Sequence, residues 1–147
     1  MALLTASRTA QDVLVAEFNF NFDDTMVPTA GGAAVDFGAT NTSATTVMVI
    51  PLPPNSTVVG GSVDRNEAFD AVTYNVTVGD ATDPDRYLAT TDVKAVGTTA
   101  LVPTGYLNAA GENIELTFTA ADVCTTGQGT VRVEYVVRDR ACEVQIA

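Results

Sequence analysis

Val72 to Tyr106, VTYNVTVGDATDPDRYLATTDVKAVGTTALVPTGY, is the stretch on which the fold reading turns. In its first seven residues Val72, Tyr74, Val76 and Val78 alternate with Thr73, Asn75 and Thr77. A period of two built from β-branched and aromatic residues is the pattern of a half-buried strand. Gly79-Asp80 ends the strand, and an acidic loop with Asp83, Pro84, Asp85 and Arg86 follows. Tyr87 and Leu88 open a short ordered piece, and Pro103, Gly105 and Tyr106 close the region with another turn. On this reading 79–106 is a long loop of distinctive composition, a place where contact surfaces concentrate.

The same period recurs on both sides. Leu14, Ala16, Phe18, Phe20 and Phe22 share one face of a strand, while Glu17, Asn19 and Asn21 share the other, so three phenylalanines in register predict a core strand. A short strand is predicted at Val35–Phe37, then a turn at Asn41–Ser43 and a Thr/Val-rich strand at Ala44–Ile50, which the prolines at 51, 53 and 54 end. Thr57–Val63 is extended, with Gly60-Gly61 marking a bulge, and Arg65–Ala71 reads as a polar loop around Phe69. Ile114, Leu116 and Phe118 alternate with Glu115 and Thr117. In the last clear strand, Thr130–Val137, Val131, Val133, Tyr135 and Val137 oppose Arg132, Glu134 and Val136, and Val144–Ile146 reads as a final edge or tail. No segment carries a helical stripe.

These elements predict an all-β fold, a β-sandwich of about eight short antiparallel strands, jelly-roll-like in count. Strand count alone is equally compatible with an immunoglobulin-like Greek key, although the chain has no tryptophan for the Cys-Trp-Cys core of that family. The expected organisation is an N-terminal arm at 1–11 and a single sandwich domain at 12–147. The start of the chain lacks a sustained apolar core and there is no 18-residue apolar run, so neither a signal peptide nor a membrane span is expected.

The chain of 147 residues carries 18 acidic and 7 basic residues, a formal charge of -11. It shows no basic face for a phosphate backbone, and its charge opposes anionic membranes, so nucleic-acid and membrane partners are not expected. It has no histidine, which removes the usual Ser-His-Asp, Cys-His and His-zinc arrangements, and no P-loop sequence. Asp80, Asp83 and Asp85 could present oxygens to calcium, but turn caps and solvated charges account for the same residues. No enzyme, cofactor or metal is expected. Cys124 and Cys142 are the two cysteines and read either as reduced, buried thiols or as one pair. Arg132 and Arg138, with Arg140 beyond, gather much of the positive charge near the last strand. They read as intramolecular partners of the acidic surface or as an intersubunit or capsid-facing ion-pair patch.

Two segments carry a resemblance. Ile50-Pro51-Leu52-Pro53-Pro54-Asn55 through Gly61 is the first; the second is Val76–Asp80 with Pro84–Leu88 and Pro103–Tyr106. Together with Val131-Arg132-Val133-Glu134-Tyr135 they resemble the capsid decoration, or cement, proteins of tailed bacteriophages, over roughly Ile50 to Cys142. The resemblance implies a jelly-roll or sandwich body, without catalytic residues, that binds the outer surface of the capsid and stabilises junctions between major capsid protein subunits. It also implies synthesis in the bacterial cytoplasm and a homo-oligomer, a trimer or else a dimer. The expected capsid or subunit contacts are Leu3, Leu4 and Arg8 in the arm, Asp80, Asp83, Asp85, Arg86 and Tyr87 in the acidic loop, and Arg132 and Arg138. The rival expectations are a tail or head-fibre protein, or a carbohydrate-binding adhesin module using Tyr87 and Tyr106.

Overall fold

The computed structural model describes the backbone of residues 7–9, 12–138 and 142–144, and the side chains of residues 12–138. The strands in chain order are β1 (Ser7–Thr9), β2 (Leu14–Asn21), β3 (Thr25–Met26), β4 (Val35–Asp36), β5 (Asn41–Ile50), β6 (Ser56–Glu67), β7 (Tyr74–Gly79), β8 (Leu88–Asp92), β9 (Gly97–Ala100), β10 (Leu107–Asn108), β11 (Ile114–Ala120), β12 (Gln128–Val137) and β13 (Cys142–Val144). Among the described residues there is no helix.

Eight of these strands build two facing antiparallel sheets. One has the order β9-β6-β12-β2, with β10 also on the outer edge of β6; the other has the order β5-β11-β7-β8. The pairing follows a simple rule. Counting only β2, β5, β6, β7, β8, β9, β11 and β12, the first pairs with the last, the second with the seventh, the third with the sixth and the fourth with the fifth. That is one long antiparallel ribbon folded over on itself, the connectivity of a jelly roll. It decides against the immunoglobulin-like alternative. Most pairings are far apart in sequence, so the fold depends on long-range closure rather than on local hairpins.

The core lies between the sheets. Phe20 from one sheet and Tyr74 and Phe118 from the other are fully buried, and Phe37 and Phe69 join them from connections. Ring centroids are 5.7 Å apart for Phe20–Phe37 and Phe20–Phe69, 4.8 Å for Phe37–Phe118 and 4.5 Å for Phe69–Tyr74, close enough for tilted and offset contacts that add to burial. Tyr74 places its hydroxyl in this cluster because it donates to the Phe37 carbonyl at 2.8 Å. Val63, Val78, Leu116, Val131 and Val133 complete the apolar layer.

The alternation in β2, β7, β11 and β12 appears as the period predicts, with differences at the ends. Asn41–Ser43, expected as a turn, are the first residues of β5, held by pairing of Asn41 with Ala120 and a bond from Asn41 Nδ2 to the Phe118 carbonyl. Arg65–Glu67, expected in a loop, extend β6, because β9 and β12 pair with them from both sides. Val72, assigned to the buried face of β7, lies outside the strand and is 66% exposed. The bulge at Gly60-Gly61 is present: Glu134 pairs with Gly60 but Tyr135 with Val58, leaving Val59 as the extra residue. Gly61 has φ +136 and its Cα faces the Arg132 carbonyl so closely that a Cβ would lie 2.2 Å from that oxygen. Residues 79–106, expected as one long loop, contain β8 and β9. Only 80–87, 93–96 and the segment after β9 are irregular.

β1 and β13 pair with each other, Arg8 opposite Glu143, so the arm segment and the tail segment form a separate two-stranded ladder.

Candidate interaction surfaces

Alternating strand directions sort the connections to two ends of the sandwich. At one end lie 51–55, 80–87 and 101–113, together with the start of β2 and the end of β12. At the other lie 68–73, 93–96 and 121–127 and both ends of the 22–40 connection. Among the predicted contact residues, Asp80, Asp83, Asp85, Arg86, Tyr87 and Arg138 converge on the first end. Arg132 stands apart, on the outer face of the β2-β12-β6 sheet. Leu3, Leu4 and the side chain of Arg8 lie outside the described residues.

The acidic loop is a braced structure. Asp80 and Asp83 exchange backbone bonds at 3.0 and 3.2 Å, and the Tyr87 N–H returns to the Val78 carbonyl at 3.0 Å. Thr77 Oγ1 donates to the Pro84 carbonyl at 3.0 Å. The loop folds down so tightly on Gly79 that a Cβ there would lie 2.1 Å from the Asp83 carbonyl oxygen and 2.3 Å from the Pro84 carbonyl carbon.

Two residues expected at a contact surface are interior. Asp80 is 2% exposed, and its carboxylate accepts bonds from Arg86 Nε, Thr82 Oγ1 and the Asp83 N–H. Burial pushes its pKa up, but the bonds from Arg86, Thr82 and Asp83 outweigh that, and the carboxyl is held below its ordinary value. With both oxygens so engaged, Asp80 is a brace rather than a calcium ligand. Among the described residues no group of three or more His, Cys, Asp or Glu could hold a metal ion. Tyr87 is likewise buried, with its pKa pushed up to about 12, chiefly by burial. The sequence hid this because Asp80 and Tyr87 sit in a polar run with no alternation to mark an inward side. The loop's outward face is Asp85, partly exposed Asp83 and the Arg86 guanidinium, which lies 3.7 Å above the centre of the Tyr106 ring. Tyr106 in turn donates its hydroxyl to Glu112 at 3.1 Å.

Asn55 joins the first end together. It holds a left-handed conformation (φ 63), donates its N–H to the Asn108 carbonyl at 2.7 Å and accepts from the Arg138 N–H at 2.8 Å. The Pro51–Asn55 turn therefore ties the end of β12 to β10.

Arg132 takes the intramolecular option. Its Nε lies 2.7 Å from Glu17 and its Nη1 3.4 Å from Asp64, a cross-strand triad over three neighbouring strands. Cys124 is a buried free thiol whose pKa burial pushes up; the Cys142 side chain lies outside the described residues.

A second buried carboxylate carries no mark in the sequence. Glu115, placed on the polar face of β11, is 5% exposed. Burial raises its pKa, with a bond from Thr29 opposing, because the connection after β3 crosses β5 and pairs the Thr29 N–H with the Thr46 carbonyl at 2.8 Å. Nothing in the local pattern announces a cover supplied from some eighty-six residues away in the chain.

The described residues thus define a jelly-roll sandwich whose polar groups brace loops and pair strands. No family model matches this sequence, and no curated protein does. Its fold is shared with chains of bacteriophage capsids. A chain of the acid-stable capsid of Helicobacter pylori bacteriophage KHP30 superposes with a TM-score of 0.67 at 17% identity, covering 98% of this chain and 100% of that one. A chain of the cyanophage Pam1 capsid asymmetric unit gives 0.57 at 19% identity over 86% and 85%, and one of the Ralstonia phage GP4 capsid 0.57 at 17% over 88% and 86%.

Proposed function

We propose that this chain is a phage virion structural protein that binds the outer surface of the capsid and stabilises junctions between major capsid protein subunits. The observation that carries this reading is the end-to-end match to a complete chain of the KHP30 capsid. A free-standing sandwich of this size serves as a piece of that particle. The side-chain chemistry agrees with the reading. The polar groups at the first end are spent on bracing, which suits a part that bears load rather than one that transforms a substrate. A shell component need not bind tightly alone, because each copy contributes a modest interface that symmetry repeats over the head.

On this reading the arm with Leu3, Leu4 and Arg8, the outward residues Asp83, Asp85 and Arg86, and Arg138 meet neighbours, and the copies form a trimer or dimer. The partner is the major capsid protein, and synthesis takes place in the bacterial cytoplasm. Cryo-electron microscopy of the purified particle tests it. Density of this sandwich should lie outside the shell, over joints between capsid subunits. Its absence from intact particles, or its location in the tail, would sink the proposal.

A further inference from the structure

We infer that the sandwich end opposite the start of β2 and the end of β12 faces the shell, and that a hollow there receives a basic side chain of the capsid surface. This deepens the capsid reading and rests on it for the identity of the partner. The hollow, about 240 Å³, lies between the end of β2, the residues after β4 and the β11–β12 connection. Buried Gly38 and Cys124 and partly buried Phe22 line it as its floor, together with exposed Val123, Asp23 and Asp36.

The floor is fixed by backbone bonds. The Gly38 N–H donates to Asp36 Oδ1 at 2.7 Å, the Cys124 N–H to the Gly38 carbonyl at 2.7 Å, and the Phe22 N–H to the Gly127 carbonyl at 2.9 Å. A Cβ at position 38 would lie 2.4 Å from the Phe22 carbonyl oxygen, so this close approach of the two segments requires glycine. An apolar floor flanked by two exposed carboxylates suits one side-chain type. Lysine and arginine lay an aliphatic stem on apolar surface and hold a cationic head at the polar margin. The same rim repels an anion.

The surroundings have the same character. Val72, Val96 and Val123 are 66%, 67% and 57% exposed and sit on three connections bonded to one another. The Ala121 N–H donates to the Thr73 carbonyl at 3.0 Å, and Lys94 Nζ to the Val72 carbonyl at 2.7 Å. Asp70 and Asp122 stand on those same connections and Asp92 ends β8 beside them, and each spends an oxygen on a nearby backbone N–H. The neighbouring cations are committed: Lys94 to Val72, and Arg65 Nε to the Ala95 carbonyl at 2.8 Å. Exposed valines among carboxylates that form no ion pair among the described residues fit a basic surface with apolar relief and oppose a second copy of this acidic chain.

The test is binding of the purified chain to heads assembled without it. The Asp23→Asn/Asp36→Asn double variant should bind at least about tenfold more weakly, as truncation of a charge pair at an interface does, and with a flatter dependence on salt. Val123→Ser should weaken binding in the same direction. The Glu112→Gln/Glu134→Gln variant, with the same change in net charge at the opposite end and residues assigned to no contact, should stay within about twofold of the unaltered chain. All variants should melt as the unaltered protein does, since the altered side chains are exposed or partly exposed and the Asn oxygen can still accept at Gly38. Equal binding by Asp23→Asn/Asp36→Asn, or equal loss in both double variants, would overturn the socket while leaving the capsid reading intact. A folded, unaltered chain that does not bind heads would overturn the capsid reading itself.

Discussion

Asp80 and Glu115 are carboxylates in one neighbourhood with opposite fates. Asp80 is buried together with a cation, so its folded-state pKa is depressed. Its contribution to stability is complete above the unfolded value of roughly 4 and is lost as pH falls through the folded value. Removing its partner should strand a buried charge, and Arg86→Ala is expected to cost about 3 kcal/mol at neutral pH by urea denaturation. Glu115 is buried without a cation and its pKa is raised. An acid of that kind costs stability once pH exceeds its unfolded value, and the cost is complete above the folded one. Glu115→Gln, which can still accept from Thr29, should therefore raise the unfolding midpoint at pH 7. That advantage should shrink to nothing as pH falls below about 4. A gain that persisted in acid would show that the carboxylate is not the source.

At the scale of elements, the braces act where strands end. Gly79 closes β7 under a loop whose backbone occupies the space of a Cβ. Gly79→Ala should cost about 1–3 kcal/mol, since backbone rather than a flexible side chain must yield, and circular dichroism with urea would measure it. An unchanged midpoint would mean that loop 80–87 is looser than its hydrogen bonds indicate. The elements also show what local pattern can and cannot reveal. Strands β2, β7, β11 and β12 were legible because one face of each is apolar. The first residues of β5 and the last of β6 are polar and read locally as loops. Their strand character comes from the partners beside them, Ala120 for Asn41 and Gly97 for Arg65.

For the whole molecule, a formal charge of -11 sits on a surface with few ion pairs: Arg86 with Asp80, and Arg132 with Glu17 and Asp64, among the described residues. Self-repulsion of that kind opposes compaction and is screened by salt. Thermal melting should therefore rise by several degrees between about 10 mM and 500 mM sodium chloride, where the Debye length falls from roughly 30 Å to a few ångströms. A melting temperature that fell with salt would assign more stability to the ion pairs than their exposure suggests. The candidate contact surfaces divide on the same scale. The braced loop, the start of β2 and the end of β12 gather at one end, and the exposed valines with their carboxylates at the other. Asp80 and Tyr87 looked like surface residues in the sequence, whereas Asp23 and Asp36 had no marker beyond their acidity.

Alternation of apolar and polar residues was sufficient to establish an all-β chain, most of its strands and much of its core, because side-chain direction in a strand has a period of two whatever the partner. The missing histidine and the acidic balance were likewise plain from composition. The order of strands was not, since a ribbon folded double pairs its first strand with its last across more than a hundred residues. Which carboxylates are buried was also set at that level: Asp80 is covered by its own loop, and Glu115 by the connection that carries Thr29. Closing the two sheets over the aromatic cluster determined the strand order, and the burial of Glu115 depends on a neighbour in space that a linear pattern does not contain.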